Sequence, residues 1–192
     1  MSWQGRFDDP RSALPPAARF RTLYFARRRV TALRETLQDL RPDTRTRADY
    51  QSLFRAEPPD GVITQQWRRD RRVGRARLSA LPDDIVDLED LDVRRRLEEI
   101  YTGLLATHGM RYLDISRLRS NQRIVTQTIA LELRTQGKAG LAYRANLDGG
   151  PCIAVFEGRT IVSRYGRHQQ LSASDKDLIA AAAPWDLSID PD

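Results

Sequence analysis

Few side chains in this sequence carry chemistry by type alone. Cys152 is the single cysteine, which excludes an internal disulfide framework and any multi-cysteine zinc site. It sits in the apolar run Cys152-Ile153-Ala154-Val155-Phe156 and reads as a packing thiol of a buried strand rather than a nucleophile. The 2 histidines, His108 and His168, lie far apart and form no His-Glu zinc signature. Metal and thiol chemistry are therefore not expected. What remains is cationic. The chain carries 32 Lys+Arg against 26 Asp+Glu, a formal net charge of +6, and its only lysines are Lys138 and Lys176. Such an excess attracts anions, whether nucleic acid, phosphorylated small molecules or an acidic partner. The densest run is Trp67-Arg68-Arg69-Asp70-Arg71-Arg72, where an aromatic beside arginines could bind a phosphate backbone. The run is short, contains Asp70 and matches no helix-turn-helix or finger pattern, so direct nucleic-acid binding is not expected.

The elements that must hold these residues follow from periodicity. At 192 residues, 40% hydrophobic and 30% charged, the chain can bury a core, and wholesale disorder is excluded. Its longest apolar runs, such as 178–183, fall far short of the ~20 residues of a membrane span. No basic-then-apolar leader opens the chain, so a cytoplasmic protein is expected. Residues 20–26 alternate as a strand. They lead into a helix over 30–40, with Thr31 as its N-cap and Pro42 as its stop. Residues 41–61, with Pro42, Pro58-Pro59 and Asp60-Gly61, read mostly as loop. A short basic helix over 62–72 precedes strands at 73–78 and 85–88, split by the turn Leu81-Pro82-Asp83-Asp84. The clearest helix spans 90–108, with Leu91, Leu97, Ile100, Tyr101, Leu104 and Leu105 on one stripe and Gly109 after its end. Another helix runs 122–136, with Ile124, Ile129 and Leu133 inward and Gly137 closing it. Strands at 141–146, 152–157 and 160–165 follow, the first two separated by Asp148-Gly149-Gly150-Pro151. A last helix starts near Ser172 or Ser174 and ends at Pro184. Strands and helices mix without regular βαβ alternation, which predicts an α+β fold.

Three stretches in order resemble the RES domain family, named for an arginine, a glutamate and a serine. They are Gly5-Arg6-Phe7-Asp8-Asp9-Pro10; Leu23-Tyr24-Phe25-Ala26 with Ala32-Leu33-Arg34-Glu35-Thr36-Leu37; and Arg123-Ile124-Val125-Thr126-Gln127 through Gly140-Leu141-Ala142-Tyr143-Arg144-Ala145-Asn146 to Cys152-Ile153-Ala154-Val155-Phe156-Glu157. The resemblance covers most of residues 3–160. It implies a single ADP-ribosyltransferase-like domain over 1–165, with short mixed strands and peripheral helices, and a helical extension over 166–192 packed on it. It also implies an NAD-consuming toxin of a bacterial type II toxin–antitoxin pair, restrained by a helix-turn-helix antitoxin. NAD is then the substrate, inorganic phosphate a possible co-substrate, and no metal is required. One position departs from the family pattern: Ala145 stands where the serine belongs, which touches activity rather than fold.

The resemblance implies the site. Breaking the nicotinamide–ribose bond of NAD passes through an oxocarbenium-like transition state. Arg6 suits the pyrophosphate, because a guanidinium makes two parallel charge-assisted bonds to phosphate oxygens. Tyr24 suits a ring or a ribose hydroxyl. Glu35 suits the nascent cation, or activates the acceptor. Arg6, Tyr24 and Glu35 are expected to converge on one cleft near Tyr143 to Asn146. Each has a plain alternative: Arg6 a solvated charge, Tyr24 a core ring, Glu35 an exposed helix residue. Arg123, Thr126 and Gln127 head a helix whose N-terminus would add positive potential toward NAD, or they satisfy backbone groups internally. Asn146 offers an amide to NAD, or forms the turn before Asp148-Gly149. Hydrolysis, phosphorolysis, protein ADP-ribosylation and a catalytically inactive NAD-binding module all remain open at this point.

Overall fold

The computed structural model describes residues 5–41, 44–55, 61–79, 84–114 and 123–192. In chain order the elements are β1 (Thr22–Ala26), α1 (Arg29–Leu37), α2 (Thr44–Phe54), β2 (Val62–Ile63), α3 (Gln65–Arg69), β3 (Arg72–Leu78), β4 (Ile85–Asp87), α4 (Leu91–Ile100), α5 (Thr102–Thr107), α6 (Arg123–Thr135), β5 (Gly140–Arg144), β6 (Pro151–Phe156), β7 (Val162–Gln170), α7 (Lys176–Ala182) and β8 (Ser188–Ile189). Mixed strands and helices without βαβ alternation make this an α+β fold. Its contacts group into two units, one of Met1–Arg27 with Leu78–Ser163, the other of Arg28–Arg77 with Arg164–Asp192.

The first unit is built on a four-stranded sheet of order β1-β6-β5-β4. β6 lies antiparallel to both β1 and β5, while β4 runs parallel to β5. β6 is the central apolar strand that the run from Cys152 to Phe156 predicts, with Cys152, Ala154, Val155 and Phe156 all buried. Gly140 permits the close pairing of β5, because a Cβ there would collide with the Ala154 carbonyl oxygen. The core gathers Phe7, Phe20, Leu97, Ile129, Leu141 and Phe156. α6 turns Val125, Ile129 and Leu133 inward, but leaves Ile124, expected inside, exposed. Gly137 ends the helix region at φ +87, and the Lys138 N–H donates to the Leu133 carbonyl at 3.0 Å.

The helix expected over 90–108 is interrupted. Asp90 caps α4, accepting from the N–H groups of Asp92 and Val93 at 2.8 and 3.2 Å. Tyr101 then leaves helical geometry at φ −104, ψ 19. At the break the Thr102 hydroxyl donates to the carbonyls of Glu98 and Glu99. Leu97 and Leu105 face the core, whereas Leu91 and Ile100 from the predicted stripe are exposed.

The second unit packs α1 and α7 through Leu33, Leu37, Leu178 and Ala181. Thr31 is not the cap of α1: it lies inside the first turn, fully buried, and Arg28 holds the cap position without a side-chain bond. Asp175, rather than Ser172 or Ser174, caps α7, accepting from the N–H groups of Asp177 and Leu178 at 3.1 Å each. The same carboxylate receives the Arg29 fork at 2.9 and 2.5 Å. Burial alone would raise the Asp175 pKa, but these donors hold it below the usual carboxylate value. α7 runs to Ala182, and Pro184 falls in a following 3₁₀ turn.

Residues 41–61, expected mostly as loop, contain α2 over Thr44–Phe54. Between its flanking prolines the segment holds no Gly or Pro and includes Arg, Ala, Gln and Leu, all good helix formers. It shows no apolar period because it is exposed along most of its length. The expected features at Pro42, Pro58-Pro59, Asp60 and Leu81-Pro82-Asp83 lie outside the described residues. β2 pairs in parallel with β8, a strand with no periodic signal over its 2 residues. The segment from 166 onward, expected as an extension, contributes the end of β7, α7 and β8 to this second unit.

Arg68 is the largest buried side chain of the described residues, at 1% exposure. Thr64 caps α3 by accepting from the Trp67 N–H, and one turn of helix then directs Arg68 inward. Its guanidinium donates to the carbonyls of Ile63, Asp190 and Pro191 and to the Asp192 carboxylate, at 3.3, 2.7, 3.2 and 2.9 Å. The basic run of 67–72 is thus partly internal.

Candidate active site

The loop before β1 assembles the candidate site of the first unit. Gly5 to Asp8 close a tight turn, with the Asp8 N–H on the Gly5 carbonyl at 3.3 Å and the Gly5 N–H on Asp8 Oδ2 at 2.7 Å. A side chain at Gly5 would collide with the Tyr24 hydroxyl and press on the Asp8 carboxylate. Only glycine fits there. Phe7 plugs the core at 1% exposure, and that anchor leaves Arg6 half-buried at its rim.

Three elements pin this turn. From β1, the Tyr24 hydroxyl accepts from the Phe7 N–H and donates to Asp8 Oδ1, both at 3.0 Å. Thr22 donates to the Phe7 carbonyl at 2.8 Å. From α6, Thr126 donates to the Arg6 carbonyl at 2.7 Å and Gln127 to the Gly5 carbonyl at 2.9 Å. From β5, the Tyr143 ring meets Phe7 edge-on at 5.0 Å and lies 5.5 Å from the Arg6 guanidinium carbon. A cation at that distance from an aromatic face is attracted to it.

The electrostatics fix the protonation of Tyr24. Enclosure of its hydroxyl, and secondly the Asp8 carboxylate, push the phenol far above the ordinary tyrosine range. It remains a neutral phenol whose proton is committed to Asp8, while the residue as a whole keeps 41% exposure. The ring therefore offers a surface, but the hydroxyl donor is already engaged. Next in the chain, Asp9 is fully buried. Burial would raise its pKa, yet the Arg11 fork at 2.9 and 2.6 Å and the N–H groups of Arg11 and Phe20 hold it low. Arg19 adds a bond to the Asp9 carbonyl.

Of the expected site residues, the structure brings Arg6, Tyr24 and Gln127 to this one turn. Thr126 and Gln127 take the internal role, bonding backbone carbonyls of the loop. Arg123 stands exposed at the first position of α6. Asn146 is exposed and opens the turn that follows β5. Ala145 is wholly buried; its N–H donates to the Gly150 carbonyl at 2.9 Å and its carbonyl accepts from Gly149 at 3.1 Å. A hydroxyl at that position would face protein neighbours. Glu35 belongs to α1 of the second unit, where it is half-buried rather than fully exposed. Sequence reasoning gave Asp8 no role and named Tyr143 only as a neighbour of the cleft. The Gly5-to-Asp8 spacing of a four-residue turn, and the aromatic at the middle of β5, were the available signals.

Residues 1–174 match the model of the RES domain, and the chain belongs to the RES domain family. No curated protein and no solved structure matches it significantly. Membership supports an NAD-related toxin function and enzymatic potential in general terms. Among the described residues, no cluster of His, Cys, Asp and Glu could hold a metal ion, and no helix is long and apolar enough to cross a membrane.

Proposed function

We propose that this protein consumes NAD, hydrolysing or phosphorolysing its nicotinamide–ribose bond, as the toxin of a type II toxin–antitoxin pair with an ADP-ribosyltransferase-like fold. The observation that carries the reading is Arg6, a half-buried guanidinium beside Tyr143 in a turn fixed by Tyr24, Asp8, Thr126 and Gln127. A cation held in place before substrate arrives binds pyrophosphate oxygens without losing side-chain freedom at that moment. In this reading Arg6 takes the pyrophosphate, and the rings of Tyr24 and Tyr143 take a planar group. Glu35 is the carboxylate that opposes the nascent cation. The bond from the ribose carbon to the nicotinamide nitrogen breaks with its electron pair leaving on nicotinamide. An oxygen of water or phosphate then bonds to that carbon, giving up its proton where it enters as water. Arg123 and Asn146, both exposed, supplement NAD binding. A helix-turn-helix antitoxin restrains the activity in a cytoplasmic setting.

Ala145 favours a second reading, a weakened or inactive NAD-binding module. A serine would supply one donor and two lone pairs where alanine supplies none. Because position 145 is buried, a serine hydroxyl there would act by orienting the turn after β5.

One experiment separates the two. NAD loss is followed with and without inorganic phosphate for the natural chain, Arg6→Ala, Glu35→Ala and Ala145→Ser. Catalysis predicts measurable loss, reduced about 10- to 150-fold in Arg6→Ala, as expected for ~1.5–3 kcal/mol from a bond to a charged group. Ala145→Ser is expected to raise turnover at least about tenfold on the same scale. Retained binding with no turnover in any variant supports the module, and unchanged turnover in Arg6→Ala removes the proposed site.

A further inference from the structure

The second unit carries a surface that NAD chemistry does not use. β3 and β7 pair as a two-stranded ribbon. Within this unit, residues 72–77 and 164–170 hold Arg72, Arg75, Arg77, Arg164 and Arg167, and neither segment contains an Asp or Glu. All five arginines are exposed, and β7 is exposed at every position from 163 to 170. On β3 only Val73 and Leu78 are partly covered, Val73 against the second unit's core. A two-stranded ribbon with so little buried surface is marginal in water, and like charges on neighbouring strands add repulsion. A polyanion laid along it would remove both penalties.

The details favour a nucleic-acid duplex. The Arg77 guanidinium lies 5.7 Å from the ring centre of Tyr165, itself 58% exposed, so an aromatic face and a cation are presented together. Strand alternation puts Arg75 on the same side as Arg77. Gly74 keeps the ribbon slim, because a Cβ there would stand 3.3 Å from the His168 imidazole. The major groove of B-form DNA admits a two-stranded β-ribbon, and arginine forks match phosphate oxygens. The basic run of 67–72 is a poorer candidate. Arg68 is buried, Arg71 lies over the Trp67 ring at 4.1 Å, and Arg72 donates to the Arg69 and Arg71 carbonyls at 2.6 and 3.0 Å. Arg72 thus anchors the start of the ribbon, and Arg75, Arg77, Arg164 and Arg167 follow along it, all exposed.

We propose that the β3–β7 ribbon docks on double-stranded DNA through its phosphate backbone. Backbone contacts carry no sequence information, so binding is sequence-tolerant and strongly salt-dependent. An acidic polypeptide adding to a ribbon edge would need pockets for alternate side chains, and this open surface is a poor source of them.

The test is the binding of a labelled duplex of arbitrary sequence to the full chain, read by fluorescence anisotropy across a salt series. With four phosphates neutralised, the slope of log affinity against log salt is about −3.6, a loss on the order of 100-fold between about 50 and 200 mM. Arg75→Gln/Arg77→Gln and Arg164→Gln/Arg167→Gln, made separately and checked for unchanged melting, should each lower that slope by about 2. Arg95→Gln/Arg96→Gln, which removes two exposed arginines of α4, should leave it unchanged. Three results overturn the proposal: no salt-dependent binding, equal losses in the α4 control, or tighter capture of polyglutamate or single-stranded DNA than of the duplex.

Discussion

Asp9 and Arg68 are both charged and both buried, at 0% and 1% exposure, but they are neutralised over very different spans of chain. Asp9 is satisfied by donors at Arg11 and Phe20, within 11 residues. Arg68 reaches Asp190, Pro191 and Asp192, more than 120 residues on. The first arrangement closes a small loop, so much of its ordering cost is local. The second forms only when distant ends of the second unit have met. A buried charge of the first kind organises a turn; one of the second kind holds an entire unit together.

Breaking the long-range cluster should have the largest effect. Arg68→Ala leaves carbonyls of Ile63, Asp190 and Pro191 without their guanidinium donor, and removes a large side chain from the interior. A loss of about 2–4 kcal/mol is expected from carbonyls left without a donor and from the cavity, because the remaining Asp192 carboxylate is exposed. The urea midpoint at constant slope measures it, and a shift under about 1 kcal/mol would place Arg68 among ordinary surface arginines. Arg68→Lys keeps the charge but not the fork, so it should recover only part of the loss.

The local cluster should respond next, and its response should depend on pH. Asp9→Asn keeps the shape but weakens bonds to a charged acceptor, for an expected cost of about 2 kcal/mol near neutrality. Because the folded pKa of Asp9 is held low, its contribution is present above the unfolded value of about 3.9 and disappears as pH falls through the lower folded value. Unfolding free energies from pH 6 down to pH 2 should therefore converge for the natural chain and Asp9→Asn. Parallel curves would show that the carboxylate charge contributes nothing.

The smallest effect sharpens the comparison within the site itself. Tyr24→Phe removes the hydroxyl linking the Phe7 N–H to Asp8, a link over 17 residues. About 1 kcal/mol of stability should be lost. Hydrogen exchange at the Phe7 amide should quicken while amides of β6 keep their protection, and equal loosening of both would make Tyr24 part of the global core.

The same distinction explains what the sequence reveals. β1, β5, β6 and α6 are legible because apolar periodicity and local glycines define them, Gly137 included. α2 is hidden, since an exposed helix has no apolar face to announce it, and no proline marks the break at Tyr101. β8 and the interior place of Arg68 depend on partners far away in sequence. In the candidate site, the turn of Gly5 to Asp8 and its neighbours Tyr24 and Gln127 follow from ordered motifs. That Gln127 and Thr126 bond the loop backbone, and that the Tyr24 proton belongs to Asp8, requires three-dimensional geometry.

The placement of Cys152 has a practical consequence. It is the sole thiol of the chain, 3% exposed, on the strand flanked by Ala26 on one side and Tyr143 on the other. Its side chain stands out of the sheet plane, so a thiol-reactive dye can reach it only after the layer packed on that face gives way. Its labelling rate in native buffer is thus a built-in clock for local opening over the sheet, obtained without engineering and set by the free energy of that opening when reclosing is fast.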